Sequence, residues 1–272
     1  MIMRQCLVSA LFFLFLAQGP LFAQETWQEF KGKHFVVLYQ ASVERDLARK
    51  VLRAAEHYYD RIGDRIGYQR VAKFWTWEER VRIVLFRDSR TFSAETGQPL
   101  WSLGYAARDS QVFRSRMIAT YPQERGFLDG LLPHEISHLI LQDFIPDRQH
   151  VPIWFEEGLA QMEEAGKVER AERLMRHLVQ QGQYVYLDFL NQWDIRQESD
   201  PTKVEVFYAQ SLCLIRFMLK EYGQRSFQRL CRELRDGRTF IQALRKAYPG
   251  RIDNLSDLEE QWVRSIKGGG II

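Results

Sequence analysis

His134 and His138 stand four residues apart, with Glu135 beside the first, in the run Leu131-Leu132-Pro133-His134-Glu135-Ile136-Ser137-His138-Leu139-Ile140-Leu141. The run reads as a helix. On a helix, residues four apart share one face, separated by about 6 Å along the axis. Two imidazoles placed that way can give nitrogens to one zinc ion at roughly 2.0–2.1 Å. Glu135 is turned by about 100° from His134. It therefore stands beside such an ion without ligating it, where it can take a proton from water. That is the mechanical content of H-E-x-x-H. The plain alternative, a helix with two surface histidines, leaves the apolar flanks unexplained.

Two imidazoles do not complete a zinc site, which takes a third protein ligand. Glu157 follows His138 by 19 positions, in Val151-Pro152-Ile153-Trp154-Phe155-Glu156-Glu157-Gly158-Leu159-Ala160. A turn through Asp143-Phe144-Ile145-Pro146-Asp147 separates the two stretches, so a second helix can fold back across the first. This spacing, with the wording Pro152-x-Trp154-x-x-Glu157-Gly158-x-Ala160, resembles the gluzincin metallopeptidases in their compact peptidase MA-like branch. The strong resemblance covers residues 130–160, and a looser one residues 80–225.

The resemblance implies a zincin-like α+β fold. A small mixed β-sheet forms the N-terminal half, helices form the C-terminal half, and the metal site lies at their junction. It implies one Zn2+ ion held by His134, His138 and Glu157, with Glu135 as general base. Phe207-Tyr208-Ala209-Gln210-Ser211 is similar to a tyrosine-bearing helix of these families. That makes Tyr208 the candidate oxyanion donor, ahead of His177, Tyr184, Tyr186, Tyr222 and Tyr248; a core tyrosine with a satisfied hydroxyl is the competing reading. By the same analogy, Gly104-Tyr105-Ala106-Ala107 is the edge strand to which an extended peptide adds by backbone hydrogen bonds. An ordinary hairpin is the alternative there. The Gly-x-Met-Glu-Asn segment by which the aminopeptidase branch captures a free amino end is absent. Glu156 and Gln161 are near enough in sequence to hold the second nitrogen of an imidazole.

The function expected is that of an exported zinc metallopeptidase acting on a peptide or protein substrate. A catalytically inactive zincin-fold binding or assembly protein of the cell envelope is the alternative, disfavoured because all four required side chains are present. A hydrolase of non-peptide amides would use the same chemistry.

The positioning elements follow from periodicity. Strands are expected at residues 34–39 and 80–86, with a long helix at 44–66 between them and a short one at 91–95. Residues 104–113 read as strand, turn at Arg108-Asp109-Ser110, and strand. The zinc helix is expected from Gln123 or Gly126 to Leu141, with Pro133 in a first turn or at a kink. The Glu157 helix starts near Pro152. Helices follow at 168–180, 204–222 (stopped by Gly223), 226–235, 238–247 and 256–266, the last opened by a capping box on Ser256 and Glu259. His57 reads as a helix-face histidine rather than a ligand.

The chain of 272 residues is long enough for one domain with a real core, placed at residues 24–267. Its strand-rich part is 24–122, its zinc helices 123–165 and its helical lobe 166–267, with a loose tail at 268–272. Met1-Ile2-Met3-Arg4, the apolar stretch from Leu7 to Leu16, Gly19-Pro20 and Ala23 before Gln24 read as a signal peptide spanning residues 1–23. The protein is then periplasmic or secreted, or membrane-anchored if the signal is uncleaved. The apolar run is shorter than the ~20 residues of a span, and no other candidate exists, so no stable membrane span is expected after cleavage. The formal charge of +3 becomes +2 when Arg4 is lost with the signal. With no basic run, this argues against nucleic acid as a partner. Export makes a disulfide between Cys213 and Cys231 possible; both fall inside helices, and free buried thiols are the preferred reading.

Overall fold

The computed structural model describes residues 26–68, 80–100, 102–107, 116–122 and 126–269. Among these residues the strands are β1 (Trp27–Lys31), β2 (Phe35–Gln40), β3 (Val81–Leu85), β4 (Gly104–Ala107) and β5 (Met117–Thr120). They form one mixed sheet in the order β1-β2-β3-β5-β4. β2, β3 and β5 run parallel, and the two edges β1 and β4 run antiparallel to their neighbours. The helices are α1 (Arg45–Ile66), α2 (Ser89–Thr96), α3 (Leu132–Phe144), α4 (Ile153–Gln161), α5 (Lys167–Gln180), α6 (Leu187–Leu190), α7 (Pro201–Arg235), α8 (Phe240–Ala247) and α9 (Leu255–Lys267). The α+β architecture expected from the sequence is the one observed.

Side chains alternate across a strand, and here both faces are used. Phe35, Val37, Tyr39, Ile83, Leu85 and Ile118 are buried with Ala48, Val51, Ala55, Tyr59 and Ile62 of α1 in the main core, which continues into the helical half. The intervening Val84, Phe86, Met117 and Ala119 face the other way and close over Phe92 of α2.

Two local differences from the sequence expectation stand out. β1 and β5 have no predicted counterpart. β4 lies where a strand is expected and pairs antiparallel with β5; the turn expected at Arg108-Asp109-Ser110 and the strand expected after it lie outside the described residues. As expected, Gly223 separates two helices, which meet within α7 at a kink where that glycine has φ 78° and ψ 159°. The second difference lies at α9. The capping box of α9 is built on Asn254 and Asp257, not Ser256 and Glu259. Asn254 starts the extended backbone that a cap needs, while the Glu259 carboxylate instead accepts the Leu187 N–H at 2.6 Å.

His57 is exposed on α1, and Cys213 and Cys231 are buried free thiols. The expected signal peptide lies outside the described residues. Among those described, no helix is long and apolar enough to cross a membrane.

Candidate metal centre

The metal helix opens with a widened turn at Phe127–Leu131 and continues into α3. Pro133 sits in the first turn of α3, where its missing N–H is tolerated. That leaves the carbonyl four residues back, at Asp129, without the donor an α-helix would supply. The Ala165 N–H takes it instead, at 2.8 Å. A proline beside His134 thus ties the start of α3 to the turn after α4.

Glu157 is brought in by α4. Gly158 next to it has no room for a side chain, because a Cβ there would run into the backbone carbonyl of Ser211 on α7. Backbone meets backbone at this point, and Tyr208 lies one turn before Ser211. The same contact therefore fixes Glu157 relative to Tyr208.

The result is a converging set of donors. His134 Nε2 and His138 Nε2 lie 3.1 Å apart. The Glu157 carboxylate reaches within 3.8 Å of the first and 3.7 Å of the second. One ligand atom from each of the three residues lies within 4.8 Å of the others. The three side chains are 17–18% exposed, so they reach the surface at an opening. His134 also lines a cavity of about 490 Å³, together with Leu103, Leu131, Glu135, Glu164 and Lys167 among others.

The electrostatics suit a cation. Burial drives the Glu157 carboxyl up; the His134 charge opposes this, Glu156, Glu135 and Glu164 add to it, and the pKa is pushed up to about 7. Burial, the His134 charge and Arg148 hold His138 down to about 3. Burial works the same way on His134, but its hydrogen bond to Glu164 and the charges of Glu135, Glu157 and Glu164 outweigh it and raise its pKa. Acidic groups thus crowd around the point where the two imidazole Nε2 atoms meet. Two imidazoles and a carboxylate are a common zinc donor set, so the residues present fit that ion.

The profile of the Peptidase MA superfamily matches residues 85–268. The chain belongs to the Peptidase MA superfamily. No curated protein matches it. Among solved structures, native yeast LTA4 hydrolase is similar with a TM-score of 0.52 and 15% identity, over 87% of this chain and 38% of that one. At that identity the likeness is one of fold. It agrees with the peptidase MA-like resemblance read from the two motifs.

Around this Peptidase MA centre, the other candidate residues sort by position. Glu135 is set mainly by burial, which raises its pKa against the pull of the His134 charge, and its carboxylate accepts the N–H of Ala106. Among the described residues β4 is the outer strand of the sheet beside the site, and one of its backbone donors touches the candidate base. The Tyr208 phenol is pushed up to about 12 by burial and by the charges of Glu157 and Glu164, so it stays protonated as a donor. The remaining groups weighed for that role are committed elsewhere or turned away. Tyr184 donates to Glu259 and Tyr222 to Gln261, Tyr248 is buried in the core, and His177 and Tyr186 are exposed.

Glu156 and Gln161 do not hold an imidazole. Glu156 accepts from Arg148 at 2.7 Å, and Gln161 lines a neighbouring cavity. The residue that does is Glu164, whose Oε1 lies 2.9 Å from His134 Nδ1. Its signal was present in the sequence: Glu157, Gln161 and Glu164 recur at i, i+4 and i+7, the spacing of one helix face.

Proposed function

We propose that this Peptidase MA protein is an exported zinc-dependent peptidase that hydrolyses peptide bonds. The observation that carries this reading is the approach of His134 Nε2, His138 Nε2 and the Glu157 carboxylate to one another, with the Glu135 carboxylate on the same helix as the two histidines. His134, His138 and Glu157 would hold one Zn2+. Bound there, the ion supplies Lewis acidity, lowering the pKa of water and polarising a carbonyl.

The chain's own groups do the rest. An extended peptide lies along β4, the outer strand of the sheet among the described residues, where backbone donors and acceptors fix its direction. Glu135 takes a proton from water and returns it to the leaving nitrogen, and burial raises its proton affinity towards that task. Tyr208 donates its hydroxyl hydrogen to the oxygen that gains charge. The apolar N-terminal run supports export.

The test is metal analysis joined to a cleavage assay. Wild type should carry one zinc per chain, and His134→Ala should lose it. Glu135→Gln should keep the zinc while peptide cleavage falls by about 10²–10⁴-fold. Stoichiometric zinc in His134→Ala, or unaltered turnover in Glu135→Gln, would refute the assignment.

A further inference from the structure

A cavity of about 700 Å³ opens over the segment that leads from α6 to α7, within the size range of ligand sites. None of the residues that line it belongs to the metal centre. Its floor is aromatic. The rings of Phe189 and Trp193 meet with centroids 5.4 Å apart and planes at 50°. Phe189 is 60% exposed, although a phenyl ring gains by leaving water. Trp193 is half-buried and packs edge-on against the buried Phe207 of α7, at 5.5 Å and 86°. The aromatic shelf therefore has the core behind it and water in front.

The rim is polar and carries no cation. Asp188, Gln192, Asp194, Gln197 and Glu198 supply three carboxylates and two amides. Two of the carboxylates are held by the chain itself. Arg196 donates to both oxygens of Asp194, at 2.7 and 2.8 Å. Glu198 accepts the N–H groups of Ser199 and Asp200, at 2.9 and 3.0 Å, and lies 3.6 Å from Lys203. Gln197 donates one amide hydrogen to Asp194, and Gln192 one to the carbonyl of Asp188, both at 3.3 Å. Each amide keeps its oxygen and its second hydrogen for a ligand. The Asp188 side chain is exposed, and no neighbour among the described residues holds its carboxylate.

This surface discriminates between kinds of ligand. An anion meets three carboxylates. A cationic chain finds two of them already matched by Arg196 and Lys203. An apolar side chain would cover the rings and take water from the amides and Asp188 without replacing it. A molecule with a flat C–H face and a border of hydroxyls satisfies both parts. Its C–H groups, slightly positive, rest on the negative faces of the rings. Its hydroxyls both give and accept hydrogen bonds, as amides and a carboxylate require. That combination is the chemistry of a pyranose sugar.

We infer that the cavity over Phe189 and Trp193 binds a neutral oligosaccharide, with sugar rings on the aromatic shelf and sugar hydroxyls on Asp188, Gln192 and Gln197. This goes beyond the peptidase reading and does not depend on it.

The experiment is calorimetry on the full chain with three neutral tetrasaccharides: maltotetraose, cellotetraose and the β-1,4-linked tetramer of N-acetylglucosamine. At least one should bind. Phe189→Ala and Asp188→Ala, both at exposed positions, should each weaken that binding about 5-fold or more, as loss of a ring contact or a hydrogen bond does. Trp27→Ala removes an exposed ring from β1 and should leave the binding unchanged. Failure of all three sugars to bind overturns the inference, whatever the variants do. So does binding that survives either substitution in the cavity, or an equal loss in Trp27→Ala. Tetralysine is titrated alongside. If it binds in a way that needs Phe189 and Asp188 while no sugar does, the cavity belongs to a cationic chain and the sugar reading is overturned.

Discussion

Glu164 governs how well His134 can hold an ion. Its Oε1 fixes the Nδ1 proton of the ring, which leaves the Nε2 lone pair for a metal. Glu164→Ala should therefore weaken zinc binding by about 10–100-fold, the usual effect of losing such a partner. Glu164→Gln, which still offers an oxygen, should fall between that variant and wild type. Competition with a chelating dye measures both, and equal zinc affinity in all three proteins would remove Glu164 from the site. At this scale the sequence was informative for types and spacing. His134, Glu135, His138 and Glu157 could be named because a four-residue step and one long-range motif suffice. Glu164 was missed in favour of Glu156 and Gln161, because α4 ends at Gln161 and the turn beyond it decides where Glu164 points. The N–H of Ala106 was equally invisible, since a backbone donor leaves no mark in residue type.

At the scale of elements, the long amphipathic helices were readable and the short strands were not. α1 and α5 bury a regular stripe. β1 is almost wholly exposed and β5 wholly buried, so neither shows the alternation that marks a half-buried strand. The contact between α4 and α7 is legible only as a glycine. Gly158→Ala must push the Ser211 carbonyl away. Overpacking of this kind costs about 1–3 kcal/mol, to be read in urea unfolding of the zinc-free protein. The same shift separates Glu157 from Tyr208, so peptide cleavage should drop beyond what the lost stability accounts for. Unchanged unfolding and cleavage would mean that the helices can part without consequence, and that the close approach does not set the site.

Across the whole molecule, the strand-rich and helical halves are fastened next to the metal centre by a buried ionic link. The Glu163 side chain is fully buried in the turn after α4 and is gripped from α1 by Arg61, at 2.7 Å, and by Arg65. Arg61 also reaches the Glu163 carbonyl and lies over the Tyr58 ring. This turn carries Glu164 and gives the Ala165 N–H to Asp129, so one short segment joins α1, the opening turn of α3 and the imidazole of His134. Removing one partner from a buried pair costs about 3–5 kcal/mol, because the charge left behind is uncompensated. Arg61 is 38% exposed and regains some water, so Glu163→Gln should fall at the low end, about 3 kcal/mol in urea unfolding. If the link only holds the halves together, the folded variant will bind zinc as wild type does. If it also aims Glu164, zinc affinity will fall in native buffer, where the variant is still folded, and restoring the carboxylate with Glu163→Asp will recover part of it. The geometry favours the second outcome, because the two neighbouring carboxylates of one tight turn cannot move independently. Wild-type zinc affinity in Glu163→Gln, alongside the expected loss of stability, would limit the link to the fold and leave the aim of His134 to Glu164 and Asp129 alone.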